Sequence, residues 1–369
     1  MTPVPLISVA GPPAECGGAY GAAAAARISA NIELYARRFH DQAGLDIAAV
    51  RSAGQAFRQA TAEHHPRIAA MLDALAEGAG VDVDDVYAVN ARTELLHRRS
   101  APDGSGGGCT AIGVLGTYTL EGHLLLAQNW DWHPDQRDAM ILLRTTDEHG
   151  HTVLTLAEAG MLAKMGLNSA GVGLCVNLLG SDRDGLGSGR EIGVPYHVMM
   201  RAALDASSLG AALRGTVRPP RNSSVNMLLG QAGDAGGELI DLELVPGDAG
   251  WLAPADGLLT HANHVESGLP VYDTIKDWGG SSLFRSARAR RLLADVVADR
   301  KATEDDLIAT LRDHVSFPMS ICRHVDDRDE PADRSESVYS VLLDLDARRL
   351  AIAPGPPCSG EFSWIDLVG

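Results

Sequence analysis

Apolar residues recur at helical spacing through most of the first hundred residues, and the period then changes abruptly. The runs ECGGAYGAAAAARISANIELYARRFHDQ, DIAAVRSAGQAFRQATAEHH, PRIAAMLDALAEGAG and VDDVYAVNARTELLHRR each predict a helix, with Asp or Pro near several starts and Gly near some ends. Residues 1–98 therefore read as all helix. After SAPDGSGGG the pattern becomes alternating or β-rich: CTAIGVLG, HLLLAQNW, AMILLRTT, HTVLTLAE, AKMGLN and GVGLCVNLL, parted by turn residues. Two helices follow, VPYHVMMRAALDA and SLGAALRGT, then strands at SSVNMLLGQA, GELIDLELV and GLLTHAN. Helices return at SLFRSARARRLLADVVADR and TEDDLIATLRDH, and SVYSVLLDLDARRLAIAPG closes the pattern with strand character. Strand block, helix pair, strand block, helix pair predicts an α+β fold: two antiparallel sheets face to face with helices outside, in the layer order αββα. The stretch SDRDGLGSGRE (residues 181–191) reads as a mobile loop or a lid over a pocket.

Charge narrows the partners. At 369 residues and 45% hydrophobic content the chain can bury a large core, and its formal charge of -17 disfavours nucleic acid as principal ligand. A small neutral or cationic ligand fits better. The N-terminus lacks a basic region followed by an apolar one, and no stretch approaches 18 uninterrupted apolar residues, so the expectation is a cytoplasmic protein without membrane contact.

The five cysteines are odd in number and never paired as CxxC, which fits neither a disulfide framework nor a zinc knuckle. Four of them read as small residues in or near a core. Cys109 differs, because three glycines precede it and a strand follows. A thiolate there can attack the neighbouring Gly108 carbonyl in an N-to-S acyl shift that hydrolysis completes as chain cleavage, and glycine tolerates unusual backbone angles. Cleavage leaves Cys109 as a new N-terminus that carries nucleophile and base on one residue. A glycine-rich linker ahead of a buried cysteine is the competing reading of the same residues.

Longer motifs bear on that choice. Gly108-Cys109-Thr110, LLLAQNWDW (124–132), GLNSAGVGLCVNLL from Gly166, REIGVPYHVMMRAALDA from Arg190, THANH from Thr260, SICRH from Ser320 and APGPPC from Ala353 stand in one order. In that order the chain resembles the acyl-coenzyme A:6-aminopenicillanic acid acyltransferase family, peptidase family C45 of the N-terminal nucleophile (Ntn) hydrolases, and ECGGAYGAAAAARI resembles the family's propeptide. The resemblance implies an autoprocessing precursor: a helical small chain 1–108, and a catalytic chain 109–369 beginning at its nucleophile. It implies Cys109 as nucleophile for cleavage and turnover, Asp131 beside the new ammonium, Asn263 as oxyanion donor, and Arg323 as partner to Asp131 or to a substrate carboxylate.

Ser224 aligns with a family serine near the nucleophile, and Asn129 and Asn177 are candidates to line the pocket. His261 and His264 flank Asn263 as HxxH with no third ligand apparent, so no metal is expected, and the mechanism calls for no cofactor. His149 and His151 fall at a hairpin tip, and GLGSGR lacks the Lys-Ser/Thr of a phosphate loop. The expected activity is hydrolysis of an N-acyl amide or acyl thioester through an acyl-enzyme, the two fragments staying together. Acyl transfer from a coenzyme A thioester is the alternative within enzymes, and a processing-incompetent binding protein of the same fold the alternative outside them. RSARARR (285–291), the densest basic run in a chain with three lysines, reads as a solvated helix face or, failing that, a coenzyme A cradle.

Overall fold

The structure, a computed structural model, describes residues 4–96, 108–186, 191–278 and 280–368. Its chain opens with strand β1 (Leu6–Ala10) and helices α1 (Pro13–Ala43), α2 (Ile47–His64), α3 (Pro66–Ala79), α4 (Val83–Asn90) and α5 (Arg92–Leu96). Strands β2 (Thr110–Val114), β3 (Leu125–Trp132), β4 (Met140–Thr146), β5 (Thr152–Glu158), β6 (Met165–Asn168) and β7 (Val172–Leu178) follow. Helices α6 (Tyr196–Leu204) and α7 (Leu209–Val217) precede β8 (Val225–Gln231), β9 (Glu238–Val245), β10 (Asp248–Leu252) and β11 (Leu258–His261). The chain ends with α8 (Ser282–Asp299), α9 (Glu304–Leu311), β12 (Glu336–Asp344), β13 (Arg349–Pro354) and β14 (Ser363–Asp366).

The strands form two sheets, in the orders β1-β4-β5-β6-β7-β8-β9-β10 and β11-β2-β3-β12-β13-β14. Pairing is antiparallel throughout except at β1, which runs parallel to β4. The sheets meet through β2, β3, β7 and β8, while α6 lies on β6 and β7, α8 on β11 and β2, and α9 on β3 and β12. This is the expected αββα order. Strand β3 shows why its run looks continuously apolar: Leu125 and Ala127 pack with Leu293 and Leu311 of the outer helices, whereas Leu126 and Trp130 belong to the core on the other side. Both faces of the strand are buried, so period-2 alternation is lost.

Three details depart from the sequence pattern. Residues 1–98 are not all helix, because LISVA pairs with β4 as an edge strand, and five residues after a proline are too short to register as a periodic run. The helix expected over residues 83–99 divides at Ala91, where Asn90 Nδ2 donates to Val86 O at 2.9 Å and to Gly160 O at 2.8 Å, tying the helix end to the sheet. The remainder of that helix lies outside the described residues, as does part of the loop read over 181–191. Strands β10 and β14, short and partly exposed, gave no pattern to read. Among the described residues, no helix is long and apolar enough to cross a membrane.

The small residues that opened the helical reading have a packing cause. A Cβ on Gly17 would lie 2.1 Å from Met71 O, and one on Gly21 would lie 2.2 Å from Leu75 O, so α1 and α3 approach backbone to backbone. Gly18 is different, with its nearest neighbour at 3.9 Å. Gly17→Ala is expected to lower the urea midpoint by the equivalent of roughly 1–3 kcal/mol through overpacking, while Gly18→Ala is neutral or stabilising through helix propensity. Equal midpoints for the two variants would refute this packing.

Candidate active site

Gly108 and Cys109 enter β2 at the place where five separate segments converge. Strand pairing supplies three of them. Thr110 lies opposite Asn129 in β3, two residues before Asp131, and Ser337 of β12 lies opposite Asp131 itself. His261 of β11 lies opposite Ala111, which places Asn263 just beyond the strand end nearest Cys109. The other two are Arg285, near the start of α8, and Arg323, whose N–H donates to Ser337 Oγ at 3.0 Å and whose carbonyl accepts from Ser337 N at 3.0 Å.

Gly108 is glycine for want of space. A Cβ there would lie 2.7 Å from Asp131 Oδ2 and 2.7 Å from Arg323 Nη1, so any larger residue would run into both the carboxylate and the guanidinium. Asp131 is fully buried; its Oδ1 accepts from Ser337 Oγ at 2.7 Å, and its Oδ2 has no hydrogen-bond partner among the described residues. Burial pushes the Asp131 carboxyl up to about 7, against the opposing pull of Arg323 and Arg285. The buried Cys109 thiol faces the Asp131 carbonyl oxygen at 3.8 Å and is pushed up to about 11 by burial and by the Asp131 charge.

Arg285 is the residue that the sequence pattern misplaced. It does not sit on a solvated face: it is 1% exposed, and its guanidinium donates to Cys109 O, to Thr110 Oγ1 at 2.7 Å, to Asn263 Oδ1 at 2.7 Å and to Ser281 Oγ at 3.1 Å. Burial lowers it to about 10. A guanidinium only donates, so its contact assigns Oδ1 as the Asn263 atom that faces it. Asn263 Nδ2 then donates to Leu178 O at 2.9 Å and keeps a second N–H. Within RSARARR, Arg285 points inward and Arg288 is paired with Asp313 at 2.8 Å. The signal was available in the spacing: Arg285, Ala289 and Leu293 recur every four residues on the buried face of α8.

A cavity of only about 20 Å³, room for roughly one water, lies beside the thiol, lined by Cys109, Trp130, Asp131, Lys164, Arg92 and Tyr196 among others. The much larger clefts, of about 400 and 390 Å³, lie elsewhere. Arg92 and Lys164 were not singled out from the sequence. Both bind Glu158 Oε1, at 3.2 and 2.8 Å, and they sit over the Trp132 and Trp130 rings respectively. Burial lowers Lys164 to about 8, although Glu158 opposes this. Two cations thus share one carboxylate beside the nucleophile, and the Asp131 carboxyl lines the same cavity, so charged groups of both signs surround the thiol.

The other sequence candidates are committed to the frame and do not line this cavity. Asn129 Nδ2 donates to Leu311 O and Ile321 O at 2.9 and 2.8 Å, and its Oδ1 accepts from Ser340. Asn177 Nδ2 donates to Asn226 Oδ1 and His261 O, at 3.0 and 3.3 Å. Ser224 Oγ donates to Asp184 Oδ1 at 2.6 Å and lies 2.9 Å from Ser181 Oγ, pinning the start of the 181–191 loop. Their amide and hydroxyl groups are used before any ligand arrives. His261 pairs with Glu243 at 2.8 Å; burial alone would lower it, but Asp241 and Glu243 push it up to about 9. His264 Nδ1 lies 3.0 Å from Ser282 Oγ, so the two histidines do not converge.

Residues 119–357 match the family described as acyl-coenzyme A:6-aminopenicillanic acid acyl-transferase. Over 367 residues the chain is 26% identical to the acyl-coenzyme A:6-aminopenicillanic-acid-acyltransferase 40 kDa form of Emericella nidulans, covering 97% of this chain and 95% of the relative. Among solved structures, a mutant of conjugated bile acid hydrolase from Clostridium perfringens aligns with a TM-score of 0.47 at 14% identity, covering 70% of this chain and 94% of that one. Penicillin V acylase from Agrobacterium tumefaciens aligns at 0.41 and 14% identity, over 70% and 86% of the two chains.

Arg285→Met is expected to strand buried acceptors on Asn263 and Cys109 and to cost about 2 kcal/mol or more. Arg288→Met loses only a partly exposed pair, worth about 1 kcal/mol or less. Urea unfolding checks the order, and an Arg285 variant as stable as the Arg288 variant would contradict the central place given to this side chain.

Proposed function

Because the chain belongs to the acyl-coenzyme A:6-aminopenicillanic acid acyl-transferase family, we propose that it cleaves itself between Gly108 and Cys109 and then acts on an amide or thioester through a Cys109 acyl-enzyme. The observation that carries this reading is the close approach of Asp131 Oδ2 and Arg323 Nη1 to the side of Gly108 where a β-carbon would stand, directly ahead of a buried thiol. In the first step the Cys109 sulfur adds to the Gly108 carbonyl carbon, the carbon–nitrogen bond breaks, and the thiol proton passes to the departing nitrogen, Asp131 relaying it. Water then hydrolyses the thioester, giving a Gly108 carboxylate, a free thiol and an α-amine on Cys109.

That amine is released beside Asp131 Oδ2, the buried oxygen without a partner, which can hold it as ammonium. In turnover the free amine takes the thiol proton, the thiolate attacks the substrate carbonyl, and the remaining N–H of Asn263 Nδ2 supports the oxyanion. The protonated amine then serves the leaving group. Departure of the chain before Cys109 enlarges the cavity next to the thiol, and Arg92 of the N-terminal segment stays in its wall, so the two fragments form one site. Strand β1 and the packing of α1 hold them together. Water is the acyl acceptor in the preferred reading, which the inward turn of Arg285 and the pairing of Arg288 with Asp313 support by taking two arginines of RSARARR out of a phosphate cradle. The name of the Emericella relative favours a second reading, acyl transfer from a coenzyme A thioester.

The purified chain should resolve on a denaturing gel into fragments 1–108 and 109–369 that copurify, the larger one beginning Cys-Thr-Ala-Ile, with Cys109→Ala intact. The Asp131 proton relay requires the carboxylate, and burial sets that ionisation at about 7, so the rate should climb through about pH 6 to 8 and lose this step in Asp131→Asn. A different new N-terminus, or cleavage of Cys109→Ala, refutes self-processing. Asn263→Ala should lower turnover of the processed enzyme by about 100- to 1000-fold. The ratio of free acid to amide formed from a labelled acyl thioester and a competing amine decides between water and amine.

A further inference from the structure

Outside this site, four side chains from three segments point their heteroatoms at one spot. His314 follows α9, Cys322 and His324 flank Arg323, and Cys358 follows β13. One ligand atom from each lies within 4.8 Å of the other three. His324 Nε2 is 3.1 Å from His314 Nε2, 3.5 Å from Cys322 Sγ and 3.4 Å from Cys358 Sγ. A ring nitrogen has either one N–H or one lone pair, so it can make one good hydrogen bond in its plane and not three. Three partners converging on one such atom is the packing expected around a common cation. We propose that His314, Cys322, His324 and Cys358 are a tetrahedral site for a thiophilic divalent d-block ion of the zinc class.

The chemistry of the donor set selects this class. Two sulfurs and two imidazole nitrogens are the borderline-to-soft donors that zinc takes in closed four-coordinate sites, whereas magnesium and calcium require oxygen. Zinc–nitrogen bonds of about 2.0–2.1 Å and zinc–sulfur bonds of about 2.3 Å put the nitrogens of a tetrahedron roughly 3.3 Å apart and nitrogen and sulfur roughly 3.5 Å apart. The observed separations of 3.1, 3.4 and 3.5 Å match that shell.

The scaffold is fixed by bonds that need no metal. Cys322 N donates to Asp313 O at 3.0 Å, and His324 N to Pro318 O at 3.0 Å. Asp313 in turn is paired with Arg288 of α8. Arg312 Nε reaches Pro357 O at 2.8 Å, which draws the Cys358 segment against the end of α9. Phe317, 62% exposed, lies beside both imidazoles, with ring centroids 5.0 Å from His324 and 6.0 Å from His314. Cys358 departs from the expected place in or near a core, being exposed, while Cys322 is buried as expected with its sulfur facing His324. The sequence concealed the set because its members span 45 positions, 314 to 358, with no CxxC or HxxxH pair. Function would couple to the site through Arg323, held on both sides by ligands.

The test uses the tag-free full-length chain, dialysed against Zn²⁺ or Co²⁺ under reducing conditions, with metal content measured by mass spectrometry. The expected result is one ion per chain, tetrahedral d–d and thiolate charge-transfer bands with Co²⁺, and at least about tenfold weaker binding in Cys358→Ser and in His314→Ala. Because Cys358 is exposed, its variant should fold. A chelator should therefore lower the melting temperature of the wild type, and restoring Zn²⁺ should recover it, with no such response in Cys358→Ser. Substoichiometric metal in the wild type, unchanged affinity in both variants, or a Cys322–Cys358 disulfide in the freshly purified protein would each overturn the proposal.

Discussion

Everything around the nucleophile depends on one confined encounter: the space beside Gly108, where a β-carbon would meet both the Asp131 carboxylate and the Arg323 guanidinium, with the Cys109 carbonyl gripped by Arg285. Charges buried this deeply are costly unless each has a neighbour of opposite sign or a hydrogen bond. Arg285 meets that need with four partners, and Asp131 with the Ser337 hydroxyl and two nearby guanidiniums. One oxygen of Asp131 is left over, and it lies beside Gly108.

The sheets exist, from this viewpoint, to hold such an arrangement rigid. Register between β2, β3 and β12 puts Asp131 across from Ser337, next to a register shift between Ser337 and Tyr339, and Ser337 also donates its backbone N–H to Arg323 O. On the opposite flank, β11 delivers Asn263 and α8 delivers Arg285. The N-terminal helices complete the enclosure: Tyr35 of α1 and Arg92 of α5 converge on the buried Glu158 of β5, which Lys164 also meets. The N-terminal segment thus supplies Arg92 to the cavity wall rather than only covering it.

Much of this was legible in the residues. Alternating and helical periods told the two sheets and their outer helices apart, and the glycine-cysteine junction with its colinear motifs pointed to Cys109, Asp131, Asn263 and Arg323, which the structure brings together. Other features were hidden for identifiable reasons. Arg285 looks like a surface charge unless its four-residue spacing with Ala289 and Leu293 is followed, because composition says nothing about which way a helix is turned. Asn129, Asn177 and Ser224 are polar and buried, as pocket residues are, yet only coordinates show that the frame uses their hydrogen bonds. Arg92, Lys164 and the His314–Cys358 cluster are assembled from distant segments, which no local pattern reports.

The proposed zinc-class site and the nucleophile share the segment from Cys322 to His324, so the loop that holds Arg323 is fixed at one end by ligands and at the other by Ser337. The central claim remains that cleavage turns a shielded thiol into the working nucleophile. Labelling with an acylating β-lactone, followed by peptide mapping of all five cysteines, tests it directly. The account predicts adduct on Cys109 of the processed chain and none on Cys109 of a precursor kept intact by Gly108→Val; rapid acylation of Cys109 in the uncleaved chain, or of a different cysteine in the processed one, would contradict it.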